Sequence, residues 1–174
     1  MLAARRYYPT FVHEARRAVP GRAIDGAMPG SGPAARFDAF RLAKQGASIS
    51  GSFDARRLPN VEDALAPGEE PVPVAWTIEG RSSDEGRPAL GIEIRGTVPL
   101  VCQRCLGRID WPVAQFTEVL LAGDGKELAR LDDASEGEVI LADRPLEPAM
   151  LVEDELVLTL PFAPRHEGEC PPAP

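Results

Sequence analysis

The sequence predicts a single α+β domain: an antiparallel sheet, curved or barrel-like, with a short N-terminal helix before it and a C-terminal helix packed on it. Three observations carry this. "PALGIEIRGTVPLVC" alternates, with Leu90, Ile92, Ile94 and Val98 opposed to Gly91, Glu93, Arg95 and Thr97, as in a half-buried strand. Its connections to the neighbouring β-like segments "VPVAWTIEGR" and "IDWPVAQFTEVLLAG" are as short as "SSDEG" and "CLGR", too short for helical crossovers. "PLEPAMLVEDELVLTLPFAP" is an apolar run that opens on Pro148, suited to a first helical turn, and closes on Pro161. With 174 residues, 44% of them hydrophobic, the chain can bury one sizeable core.

The elements follow in order. Residues 1–33 are rich in Arg and Ala, resemble an organelle transit peptide in composition, and read as a disordered basic extension and linker; the domain is expected over 34–171. Phe37, Phe40, Leu42 and Ala43 suit a short helix stopped by Gly46, and Ile49 with Phe53 begins a strand. "ARRLPNVEDALAPGEEP" is a helical turn between breakers, and the three β segments come next, with an irregularity expected in the third because Trp111, Val113 and Phe116 do not share one parity. "GKELARLDDASEGE" is charged and reads as a solvated loop.

In the last segment Leu146, Ala149, Met150, Leu156, Val157 and Leu160 form an apolar stripe at about 100° per residue, with Glu153 in its middle. An unpaired buried carboxylate costs several kcal/mol. Either Arg104 reaches Glu153 in a buried ion pair, or the helix is rotated and Glu153 faces water.

The chemistry concentrates in "VPLVCQRCLGRIDW". Cys102 and Cys105 stand in Cys-x-x-Cys spacing, and Cys170 with His166 in "RHEGEC" stands in His-x3-Cys spacing. Three sulfurs and one imidazole are a donor set for one structural zinc, although 60 residues separate the halves, more than in ordinary zinc ribbons. Two other readings stay open: a pair of inert thiols, or a redox dithiol, which would suit a helix N-terminus better than this position between strands.

Charge bounds the partners. The net charge is −8, but Met1 to Lys44 carries a local +5, which leaves −13 on the remaining 130 residues. Such a body does not wrap nucleic acid with its whole surface. Arg56, Arg57, Arg104 and Arg108, with Arg36, Arg41 and Lys44, form the candidate RNA or partner contacts; binding of a basic protein by the acidic body is the favoured route. No apolar run reaches the length of a membrane span, and a cytoplasmic protein is expected. An enzyme is not expected: no phosphate loop, HExxH helix or serine elbow occurs, and the consecutive acids of "VEDE" point in different directions on a helix, so they are poorly arranged to hold Mg²⁺.

"VPLVCQRCLGRIDWPV" followed by "LVEDELVLTLPFAPRHEGEC" resembles the bacterial YceD-like family of large ribosomal RNA subunit accumulation proteins, over roughly Ala34 to Pro171. The family's Cys-x-Arg-Cys element falls on Cys102, Arg104 and Cys105, and its Leu-Pro and His/Cys end on Leu160, Pro161, His166 and Cys170. The resemblance implies a non-catalytic ribosome biogenesis factor that supports synthesis, processing or stability of 23S ribosomal RNA, with ribosomal RNA or a large-subunit protein or assembly factor as partner. Many relatives continue into a tail with a Pro-Phe-Ala and lysine-containing terminus where this sequence reads "CPPAP", so the resemblance does not carry contacts of that tail over to this sequence. The alternative reading is a zinc-stabilised protein-interaction module outside ribosome assembly.

Overall fold

The computed structural model describes residues 35–134 and 137–171; the extension assigned to residues 1–33 lies outside the described residues. Helix α1 (Ala39–Gln45) begins where Asp38 accepts a hydrogen bond from the Arg41 N–H and ends at Gly46, whose φ of 56° lets its N–H turn back to the carbonyls of Leu42 and Ala43. Strand β1 (Ser48–Asp54) leads through a 3-10 turn (Ala55–Arg57) to the short helix α2 (Pro59–Glu62). The chain then runs through β2 (Pro73–Ser82), β3 (Pro88–Val101) and β4 (Arg108–Ala122). Helix α3 (Gly125–Ala134), strand β5 (Glu138–Leu141) and helix α4 (Pro148–Thr159) complete it.

The five strands lie in sequence order, β1-β2-β3-β4-β5, in one open mixed sheet. The first four are antiparallel neighbours, as the short connections require for β2–β3 and β3–β4, but β5 pairs parallel to β4, with Val119 opposite Glu138. The cause lies in "GKELARLDDASEGE", expected as a loop, which forms α3 and supplies the crossover that parallel pairing demands. Asp124 accepts from the N–H groups of Lys126 and Glu127, while the Glu127 carboxylate reaches back to the Gly123 N–H at 2.9 Å. Asp-Gly-Lys-Glu thus caps the helix much as a capping box does, with the Glu127 bond made one residue before Asp124, and Leu131 is the buried residue that anchors the helix. With β1 and β5 left as edges, the barrel-like alternative is not realised.

One face of the sheet carries the core. Val74, Trp76 and Ile78 of β2, Leu90, Ile92, Ile94 and Val98 of β3, and Val113 and Val119 of β4 point into it. The alternation expected for β3 therefore holds. The irregularity expected in β4 is absent: its pairing with β3 is unbroken from Arg108 to Leu120, and Phe116 stands on the opposite face, under the Arg81 guanidinium at 5.3 Å. Helix α1 reaches the core face at one place that only glycine permits, since a Cβ on Gly80 would lie 2.0 Å from the Leu42 carbonyl oxygen.

Helix α4 covers the same face, rotated from the expected stripe. Pro148, Leu151, Val152, Glu155 and Leu156 are its buried residues, whereas Met150 is 52% exposed and Val157 lies outside. The carboxylate placed in the core is Glu155, only 4% exposed, two positions after the one the stripe pointed to. Gln115 donates to the Thr117 hydroxyl at 3.3 Å, and that hydroxyl donates to the Glu155 carboxylate at 2.6 Å. Burial raises the Glu155 carboxyl above its ordinary range, the Thr117 bond opposes the rise, and the charges of Glu138 and Asp154 add to it.

Candidate metal centre

Strand β3 ends at Val101, and Cys102 to Gly107 turn the chain into β4. The Cys102 N–H donates to the Gly107 carbonyl at 2.8 Å, and the Leu106 N–H to the Cys102 carbonyl at 2.9 Å. Leu106 adopts a left-handed φ of 60°, a conformation that costs a non-glycine residue about 1 kcal/mol. It closes a loop tight enough to aim both thiols to one side. After α4 the chain returns to this turn because the Gln103 N–H donates to the Pro164 carbonyl at 2.8 Å, which lays the segment bearing His166 and Cys170 across it.

The structure thus brings all four expected ligands together. Their donor atoms, three sulfurs and an imidazole nitrogen, lie within 4.8 Å of one another. The fit to zinc can be tested on the edges of the polyhedron. A tetrahedral zinc with bonds of about 2.3 Å to sulfur and about 2.05 Å to nitrogen needs S···S edges of about 3.8 Å and S···N edges of about 3.6 Å. Cys102 Sγ and Cys170 Sγ stand 3.8 Å apart, and Cys105 Sγ and His166 Nδ1 3.6 Å apart. The residues fit a closed four-coordinate site. Nδ1 is the nitrogen turned inward, and Nε2 lies 3.2 Å from the Arg108 carbonyl, a partner that holds the imidazole in the tautomer a metal requires.

Electrostatics favour the thiolate at Cys102 and Cys170 but not at Cys105. Burial pushes the Cys102 thiol up, but the backbone N–H groups of Cys105, Arg104 and His166 aimed at its sulfur more than offset this and bring it down to about 5. Burial likewise opposes ionisation of Cys170, and the Arg104 guanidinium overcomes it, lowering that thiol. The Gly107 N–H favours the Cys105 thiolate, yet burial and the sulfurs of Cys170 and Cys102 leave it raised. His166 is raised by the sulfurs of Cys170 and Cys102. When bound, zinc would link the β3–β4 turn to the segment after α4, and with three thiolates it would carry one net negative charge.

Arg104 supplies the opposite charge. Its Nε donates to Cys170 Sγ at 2.9 Å, its guanidinium also donates to the Gly168 carbonyl, and its backbone N–H lies 3.4 Å from Cys102 Sγ. The expected Arg104–Glu153 pair is therefore not formed. Helix rotation carries Glu153 to the side facing α2, where its carboxylate accepts from the Asn60 N–H at 2.6 Å. The other arginines lie apart from the cluster in role. Arg56 is spent on the carbonyls of Ala66 and Glu70, Arg108 pairs with Asp110, and Arg57, with its side chain 81% exposed, approaches Asp54 only to 3.9 Å. The acceptor of His166 Nε2 is a main-chain carbonyl, so no residue type announced it.

No helix among the described residues is long and apolar enough to cross a membrane. No curated protein and no solved structure matches the chain. Residues 90–174 do match the family described as Large ribosomal RNA subunit accumulation protein YceD, the family that the cysteine and C-terminal blocks resemble; the matched stretch holds most of β3, then β4, β5, α4 and the four residues that clasp the β3–β4 turn to the segment after α4.

Proposed function

We propose that the protein is a non-catalytic cytoplasmic factor that supports accumulation of large-subunit ribosomal RNA, acting on a basic protein of the assembling subunit, with one structural zinc holding its clasp. The family match over residues 90–174 carries the first part of this reading. A closed set of four protein ligands leaves no position for a substrate, which favours a structural metal over a catalytic one. The protein route is favoured by charge: the body after Lys44 is at −13, and Arg56 and Arg104, two of the six arginines considered for RNA contact, are engaged within the fold. An acidic body speeds encounter with a basic protein and disfavours RNA.

Depletion followed by ribosomal RNA and subunit profiling tests this. A fall in 23S ribosomal RNA and in free large subunits, restored by the intact chain, is the expected result. Unchanged profiles would leave a zinc-stabilised interaction module outside ribosome assembly. Binding to purified large-subunit RNA that persists after the acids are neutralised, and is lost when Arg57 and Arg108 are, would reverse the choice of partner.

A further inference from the structure

A surface helix ordinarily offers one apolar face to the core and a polar face to water. Helix α4 departs from this. Its buried face is occupied by Leu151, Val152 and Leu156, yet Met150, Val157 and Leu158 are also exposed, Leu158 at 72%. On a helical projection Met150, Asp154, Val157 and Leu158 fall within a sector of about 100°. Phe162, fully exposed, follows three residues after the helix. Isolated surface apolar residues need no explanation, but several on one face mark a contact surface.

The rim of this face is acidic. Helix α2 lies beside α4 through the Asn60–Glu153 bond, and it carries Glu62, with Asp63 at its end, to the Glu153 side of α4, where Asp154 is the next acid along the helix. None of these four carboxylates is in an ion pair among the described residues, and neither helix contains a Lys or Arg. Burial, and after it the neighbouring Glu153, raise the Asp154 carboxyl.

We propose that the outward face of α4, with Val157, Leu158 and Phe162 as anchors, Glu62, Asp63 and Glu153 as rim on the α2 side and Asp154 between Met150 and Leu158, docks a basic amphipathic helix of a partner protein. This rests on the partner class proposed above. Apolar side chains of the incoming helix cover the stripe while its Lys or Arg side chains meet the rim. A second copy of this chain is disfavoured, because a two-fold contact would set the same acids against each other. Residues 1–33, with Arg5, Arg6, Arg16, Arg17 and Arg22, have suitable charge and are an alternative occupant.

The test uses the full chain and a labelled 18-residue peptide of leucine and lysine at helical spacing, with a leucine and glutamate counterpart, followed by fluorescence anisotropy. The basic peptide is expected to bind and the acidic one not to. The double variant Val157→Ser/Leu158→Ser should weaken binding at least about tenfold while its circular dichroism melt stays unchanged, because both side chains are exposed. Asp63→Asn/Asp154→Asn should flatten the salt dependence. Equal binding by wild type and the serine variant overturns the proposal. So does concentration-dependent dimerisation that the serine variant abolishes, or peptide binding that appears only after residues 1–33 are removed. Ribosomal RNA profiles of cells carrying the serine variant separate the two readings. Lost peptide binding with normal ribosomal RNA keeps the docking face and shows that it does not serve the proposed role, which depletion tests separately. Retained binding with reduced ribosomal RNA does the reverse.

Discussion

Two polar inclusions sit against the same sheet, and they are built in opposite ways. At the end of β3 the cysteine cluster has four mutually close donors, main-chain N–H groups on Cys102, a guanidinium on Cys170 and a carbonyl on His166. Over the middle of β4 the Glu155 carboxylate, more deeply buried than Cys105 or Cys170, has the Thr117 hydroxyl as its side-chain partner. The first surrounds its ionised groups with positive partial charge, and two of its three thiols are lowered; the second does not, and its carboxyl is raised. Burial alone therefore does not make a binding site. What separates a binding site from a tolerated buried acid is whether the surroundings favour the charged form.

The comparison can be broken most directly at Cys102. Cys102→Ser should abolish zinc retention and lower unfolding free energy by about 3 kcal/mol, because the turn loses its link to the segment after α4. Metal analysis by mass spectrometry on chelator-free protein, together with urea denaturation, measures both. Equal stability and no metal in either protein would make the cluster a set of inert thiols. Arg104→Ala should leave the fold intact and weaken zinc retention by about 10- to 100-fold in chelator competition, as loss of an outer partner does elsewhere. Arg104→Lys should recover part of it, since the charge remains and the second donor to Gly168 does not.

Smaller effects are expected at the other inclusion. Thr117→Val removes the hydroxyl donor to Glu155 and should cost about 1 kcal/mol, seen in the denaturation midpoint at neutral pH. Glu155→Gln should act in the opposite direction, by less than about 1 kcal/mol. The sign follows from proton binding: the folded carboxyl is raised, so the native state holds the proton longer than the unfolded chain. Stability from this group is full below the ordinary carboxylate range and is lost as pH rises through the folded value. Glutamine removes that loss, so the two proteins should converge in acid and diverge towards neutrality. A wild type whose stability relative to Gln rises with pH would contradict the raised carboxyl.

How much was legible beforehand depended on whether the signal was local. The β3 alternation, the stop at Gly46 and the Cys-x-x-Cys with His-x3-Cys spacing are properties of a few neighbouring residues, and each holds in the fold. The cap formed by Asp124 and Glu127 is equally local, but the charge of its segment has the composition of a solvated loop. The orientation of α4 was not local: nearly every side of it is apolar, so the pattern admits two rotations. The choice between them rests on how Leu151, Val152 and Leu156 fit the sheet.

The sequence by itself determined the four candidate ligands, the antiparallel core of the sheet and the acidity of the body, because composition, spacing and period 2 need no third dimension. Tertiary structure alone decided that Glu155 rather than Glu153 is buried, that Arg104 serves a sulfur rather than a carboxylate, and that β5 runs parallel. Each of those outcomes depends on groups far apart in the chain. Which apolar side of α4 is covered, and which carbonyl meets His166, is settled only when the packed elements bring those groups within contact.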